Sequence, residues 1–121
     1  MAIASELNVY RDTYRLTQFL LVITKQFDKM YKYTLGQRMV DSALGCLKYI
    51  QLVNVSTDTQ TRSEYFDLLL AEFENVKVLI RLSADPQIKC MSEKKLSYAI
   101  DLLSNIGKQI TAWRKSQRAR V

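Results

Sequence analysis

The chain has 121 residues, enough for one domain with a real core and too few for two. Three glycines and one proline leave little material for the tight turns an all-β fold needs about every 8 to 12 residues, so the composition points to helices. Eighteen Lys plus Arg against twelve Asp plus Glu give a formal charge of +6, which suits an anionic partner; histidine is absent, removing the commonest general base and the usual zinc spacings.

Residues 1 to 8 carry no strong pattern, although Ser5 is placed to cap a turn, and they lack the cationic start and apolar core of a signal peptide. The longest apolar run, Phe19-Leu20-Leu21-Val22-Ile23, is far short of the roughly 18 residues that span a bilayer. A cytoplasmic protein without membrane contact is expected. Leu16, Leu20, Ile23 and Phe27 recur at helical spacing and place a first helix over about 9–28, with Tyr10, Tyr14 and Leu21 on a neighbouring stripe.

The stretch Tyr31-Lys32-Tyr33-Thr34-Leu35-Gly36-Gln37-Arg38 joins the first two helices. Thr34 and Gln37 have the spacing of a capping box, so a second helix is expected over about 35–54, its face formed by Met39, Ala43, Cys46, Ile50 and Val53. Two readings of the stretch stand side by side. Its tyrosines and cations sit at a helix N-terminus, which attracts anions and suits nucleic acid, or the tyrosines plug a helical core and the cations are solvated. Gly45, inside the second helix, marks a close helix-to-helix approach. Residues 54–60 form a polar connector, the least ordered segment expected.

A second capping box, Thr61 with Glu64, opens a third helix over about 62–83, carrying Phe66, Leu69, Phe73, Val76 and Ile80, and Asp85-Pro86 ends it. Ser92 then caps a fourth helix over about 93–115, where Leu96, Ala99, Leu103, Ile106, Ile110 and Trp113 alternate at three and four. Residues 116–121 form a basic tail. Four amphipathic helices with short connections specify an all-α fold, an antiparallel up-down-up-down four-helix bundle in one domain over 1–121. Surplus apolar positions such as Val40, Leu44 and Leu47 imply either broad helix packing inside the monomer or a second apolar face buried between subunits, and the reading favoured is a homo-oligomer. Cys46 and Cys90 read as small apolar residues in a reducing compartment.

Bundle topology converts the linear charge pattern into a map. Lys25, Lys29, Lys32, Arg38, Lys77, Arg81, Lys89, Lys94 and Lys95 gather at the pole where the first two and last two helices meet, partly offset by Asp28, Asp85 and Glu93. Lys94 and Lys95 occupy a helix's first turn, where the macrodipole disfavours cations, as a phosphate-binding pole would accept; the alternative is that these lysines keep the bundle end soluble. At the other pole Arg114, Lys115, Arg118 and Arg120 face the acidic start of the third helix, and a mobile basic tail suits contact with a nucleic-acid backbone. The candidate nucleic-acid residues are Lys25, Lys29, Lys32, Arg38, Lys77, Arg81, Lys94, Lys95, Arg114 and Lys115. Paired carboxylates, a glycine-rich phosphate loop and a His-activated nucleophile are all missing from the pattern, so no enzyme, cofactor or metal site is expected.

Tyr33-Thr34-Leu35-Gly36, followed at a distance by Ile106-Gly107 and by Trp113-Arg114-Lys115-Ser116, resembles the small bacterial four-helix-bundle proteins that include the accessory variability determinant (Avd) of diversity-generating retroelements and the proteins of intervening sequences in large-subunit ribosomal RNA genes. The similarity runs from Tyr10 to Ser116. It implies a non-enzymatic partner of a reverse transcriptase, a basic homopentamer that binds that protein and RNA or DNA during mutagenic copying of a template repeat. The alternative it leaves open is a structural bundle of the ribosomal intervening-sequence type with no reverse transcriptase partner.

Overall fold

The structure, a computed structural model, describes residues 7–119, with side chains described as far as residue 116; Ser5 and Arg120 lie outside these residues. Four helices account for most of them: α1 (Asn8–Thr24); α2, built from an α-helical turn (Lys29–Tyr31), a π-helical stretch (Lys32–Gly36) and a long α-helix (Gln37–Val55); α3 (Thr59–Ser83); and α4 (Glu93–Ala119). No strand occurs among the described residues. Each helix packs against its two neighbours around a square, α1 against α2 and α4, and α3 against α2 and α4. Side-chain bonds fix the antiparallel order. Lys95 at the start of α4 donates to Gln26 Oε1 beyond the end of α1 (3.2 Å), Gln109 late in α4 donates to Asp12 early in α1 (2.6 Å), and Asn75 of α3 donates to Ser42 of α2 (2.6 Å). The chain is an antiparallel four-helix bundle.

The core is the set of three-four stripes. Met39, Ala43, Cys46, Ile50 and Val53 of α2 are buried against Phe66, Leu69, Phe73, Val76 and Ile80 of α3, and Ala99, Leu103, Ile106 and Ile110 of α4 close the other side. Trp113 packs edge-on to Phe66 with ring centroids 5.0 Å apart, so its indole belongs to the core wall. On α1 the buried face also includes Thr13, Thr17 and Thr24, which donate to the carbonyls of Val9, Thr13 and Leu20 at 2.7–2.8 Å. Each hydroxyl is satisfied within its own helix, which lets a polar residue occupy a core position.

The helix ends correct several sequence expectations. α1 stops at Thr24, and Gln26 and Phe27 turn back through N–H bonds to Ile23 and Thr24. The second helix starts at Lys29, not Leu35. The Thr34–Gln37 capping box does not form, because Thr34 lies inside a continuous helix and donates its hydroxyl to the Met30 carbonyl (2.7 Å). The third helix starts at Thr59 and is capped by Asp58, which accepts from the Thr61 N–H (2.8 Å) and hydroxyl (2.7 Å); the expected partner Glu64 instead accepts from Gln60 (3.1 Å). The connector shrinks to residues 56–58, because α2 continues through Val55 and α3 already starts at Thr59. At the start of α4 Ser92 Oγ accepts from the Lys95 N–H (3.3 Å) as a cap should, and the helix continues through residues 116–119, so the segment expected as a tail is largely helical. Before α4 the Ser83 carbonyl accepts from both Cys90 and Met91, and Lys89 takes a left-handed φ of 55° to let the chain turn.

Gly45 is explained differently from the expectation. The group against it is not the neighbouring backbone but the Glu72 side chain, whose carboxylate occupies the place of the missing Cβ.

Candidate nucleic-acid interface

The ten candidate cations divide among four surfaces. At the α1–α2 hairpin pole, Lys25, Lys29 and Lys94 are exposed. Lys32 is half-buried, with its ammonium 5.7 Å from the Tyr33 ring centroid, and Lys95 is tethered to Gln26. Tyr33 is exposed and Tyr31 half-buried against the core, so the two readings of this stretch divide between its tyrosines: Tyr31 plugs the bundle and Tyr33 presents an exposed ring beside the Lys32 ammonium. The π-helical stretch sets this arrangement. Gly36 at its end lies against Thr24 and the Phe27 ring, seating α2 tightly on the end of α1.

Arg38 does not join the pole. It lines a small polar depression between α2 and α3 with Asp41, Ser42, Glu72, Asn75 and Leu79. Cys46 lies beneath this region, and burial first, then the Glu72 charge, push its thiol up to about 12. Cys90, near the hairpin pole, is half-buried; burial and then Asp28 raise its thiol as well. Both cysteines are free.

Lys77, Arg81 and Lys115 line a groove between α3 and α4, joined by Lys108. This seam is the most open of the four. The groove has a volume of about 730 Å³, with a floor of Leu70, Phe73, Ile80, Ile100 and Leu103 and a wall of small residues on α4, among them Ser104, Gly107, Thr111 and Ala112. Lys77 is engaged twice, by Glu74 at 2.7 Å and by the Phe73 ring at 5.1 Å. Among the described residues Arg81, Lys108 and Lys115 make no ion pair.

At the opposite pole Arg114 pairs with Asp67 of α3 within the chain, the cross-bundle pairing that the charge pattern suggested. Among the described residues it is therefore the one candidate cation held by a carboxylate of a neighbouring helix. Lys115, next in sequence, points into the groove.

One cationic surface was not singled out in the sequence. Tyr10, Arg11, Tyr14, Arg15 and Gln18 line a shallow depression on α1, with the two tyrosine rings stacked at 6.3 Å and Arg15 3.7 Å from Asp12. The signal was a Tyr-Arg pair repeated four residues on, Tyr10-Arg11 and Tyr14-Arg15, which places both pairs on one helical face. Interleaved aromatic rings and guanidinium groups are chemistry that single-stranded nucleic acid can use.

A family model described as bAvd-like matches residues 8–117, the whole bundle. The chain belongs to the bAvd-like family. No curated protein matches it. For this bAvd-like chain, no helix among the described residues is long and apolar enough to cross a membrane.

Proposed function

We propose that this bAvd-like chain is a non-enzymatic accessory protein of a diversity-generating retroelement, acting in the cytoplasm. In this reading it binds the reverse transcriptase and nucleic acid, either template RNA or its cDNA, and works as a homo-oligomer, a pentamer by its resemblance to Avd. Membership of the family supports the accessory role. The observation that carries the nucleic-acid part is the group of exposed cations at the hairpin pole, Lys25, Lys29 and Lys94, none of which makes an ion pair among the described residues. Two of them flank helix starts, where backbone N–H groups add to the positive potential.

The test is affinity for structured RNA and for duplex DNA across a salt series, with the particle mass measured in parallel. Each phosphate contact contributes about −0.9 to the slope of log affinity against log salt on duplex DNA. A ring presenting several copies of the pole gives a steep slope, and replacing Lys94 and Lys95 by Glu flattens it without unfolding the bundle. A flat, weak profile at low salt removes nucleic acid from the function. Co-purification with the reverse transcriptase encoded beside the gene tests the protein partner.

A further inference from the structure

We infer that the groove between α3 and α4 receives an amphipathic helix of a partner protein, with an apolar face and acidic edges. The inference rests on the reading of this chain as an adaptor with a protein partner, and it names the segment such a partner must offer.

Shape, surface chemistry and charge agree on this occupant. The α4 lining runs from Ile100 to Lys115, about 22 Å at 1.5 Å per residue, which matches roughly four turns of a docked helix. The small side chains on the α4 wall let a second helix approach at the close separation that packed helices need. Leu70 and Ile100 offer apolar surface to the apolar face of an incoming helix. A phosphate backbone would lose its hydration against such a floor and gain no partner there.

Charge then selects among helices. Arg81, Lys108 and Lys115 rim the groove without an ion pair among the described residues, and Lys77 and Glu74 neutralise each other. Cations on both walls complement carboxylates along both edges of a docked helix and repel a basic one.

The test uses the full chain and two fluorescein-labelled model helices of roughly 15 residues, identical in their Leu stripe but edged with Glu in one and Lys in the other. Anisotropy titrations should give at least ten-fold tighter binding of the Glu-edged helix. Two variants locate the site: Lys108→Glu should weaken the Glu-edged helix several-fold, and Thr111→Trp, which fills the groove with a neutral ring, should abolish binding of both. Both positions are exposed, and circular dichroism with thermal melting checks that the variants fold. RNA affinity and sedimentation are measured on the same Thr111→Trp sample and should not change.

Equal affinity for both helices, binding of neither, or indifference to Thr111→Trp overturns the inference. A Thr111→Trp variant that loses RNA makes nucleic acid the occupant, and one that changes the assembly mass makes it a second copy of this chain; either result also overturns it. The RNA titration of the unaltered chain reports on the adaptor reading and the helix titration on the groove, so each can fail without the other.

Discussion

The Glu72 carboxylate fills the place of the side chain that Gly45 lacks: a Cβ at position 45 would collide with Glu72 Oε2. The glycine therefore accommodates the end of a flexible side chain, and Gly45→Ala should leave stability within about 1 kcal/mol of the parent, because Glu72 can swing aside while the helix gains propensity. In a Glu72→Ala background the same change should stabilise by about 1 kcal/mol. Urea denaturation of the four chains in the cycle measures both values; a large loss in either background would mean that backbones meet at this position.

Gly36 contrasts with Gly45. A Cβ there would stand 3.2 Å from Thr24 Cβ and 3.3 Å from its Cγ2, and both residues are buried where the π-helical stretch meets α1. Gly36→Ala should cost about 1 to 3 kcal/mol through overpacking. Thr24→Ala should recover part of that loss in the double variant, a coupling that a simple propensity effect would not produce.

The core stripes were legible in the sequence because each repeats. Helices two and three bury the five positions expected of each, Met39 to Val53 and Phe66 to Ile80. Helix one was less legible. Thr13, Thr17 and Thr24 count as polar in a hydropathy pattern, yet each disposes of its hydroxyl one turn back and is buried. The cations were visible as residue types, but connectivity assigns a residue only to a level along the bundle, and its face depends on the angular position of its helix. Arg114 and Lys115 are adjacent in sequence and end on different surfaces, one on Asp67 and the other in the groove. Arg11 and Arg15 lie at a spacing of four on α1, so the cationic face they form with Tyr10 and Tyr14 shows only once the helix is built.

Alkaline pH should find Cys46. Burial, with Glu72, raises its thiol from an ordinary value near 9 to about 12, so the folded chain holds this proton after the unfolded chain has released it. The unfolded state then binds fewer protons, and stability falls as pH rises through that window, by up to about 1.4 kcal/mol per pH unit from this group. Cys46→Ala should lose that share of the slope when unfolding is compared at about pH 8 and about pH 10. With a maleimide on the native chain, the half-buried Cys90 should label before Cys46.

Asp58 should give the opposite pH signature. Its carboxyl is held below the ordinary value by the Thr61 hydroxyl first and then by the Thr61 N–H. Its contribution is present above the unfolded carboxyl range and is lost as pH falls through the depressed folded value. Asp58→Ala should lower the melting temperature at neutral pH, and the gap to the parent should close in strong acid.

Lys89 adopts φ 55° in the loop before α4, a conformation that costs a residue with a Cβ about 1 kcal/mol or more. Lys89→Gly should therefore be neutral to stabilising by up to about 1 kcal/mol, although it removes a cation from the hairpin pole. Lys89→Val should destabilise, and thermal melts of the pair decide whether backbone geometry governs the position.

The π-helical stretch changes what a change in chain length does to α2. Tyr31, Leu35, Met39 and Ala43 follow one another at steps of four, and all four meet the core. In a regular α-helix each step of four overshoots a full turn by about 40°, so three in succession would carry the last residue about 120° off the face. The wider turn over Lys32–Gly36 absorbs that drift, which makes it equivalent to one residue inserted into an α-helix. Removing exposed Tyr33 should thus shorten the wide turn to an ordinary one and leave the downstream face in phase. Removing Leu44, equally a surface residue, should rotate Cys46, Ile50 and Val53 out of the core and unfold the bundle. Within one helix, the register is elastic at the hairpin end and rigid beyond it.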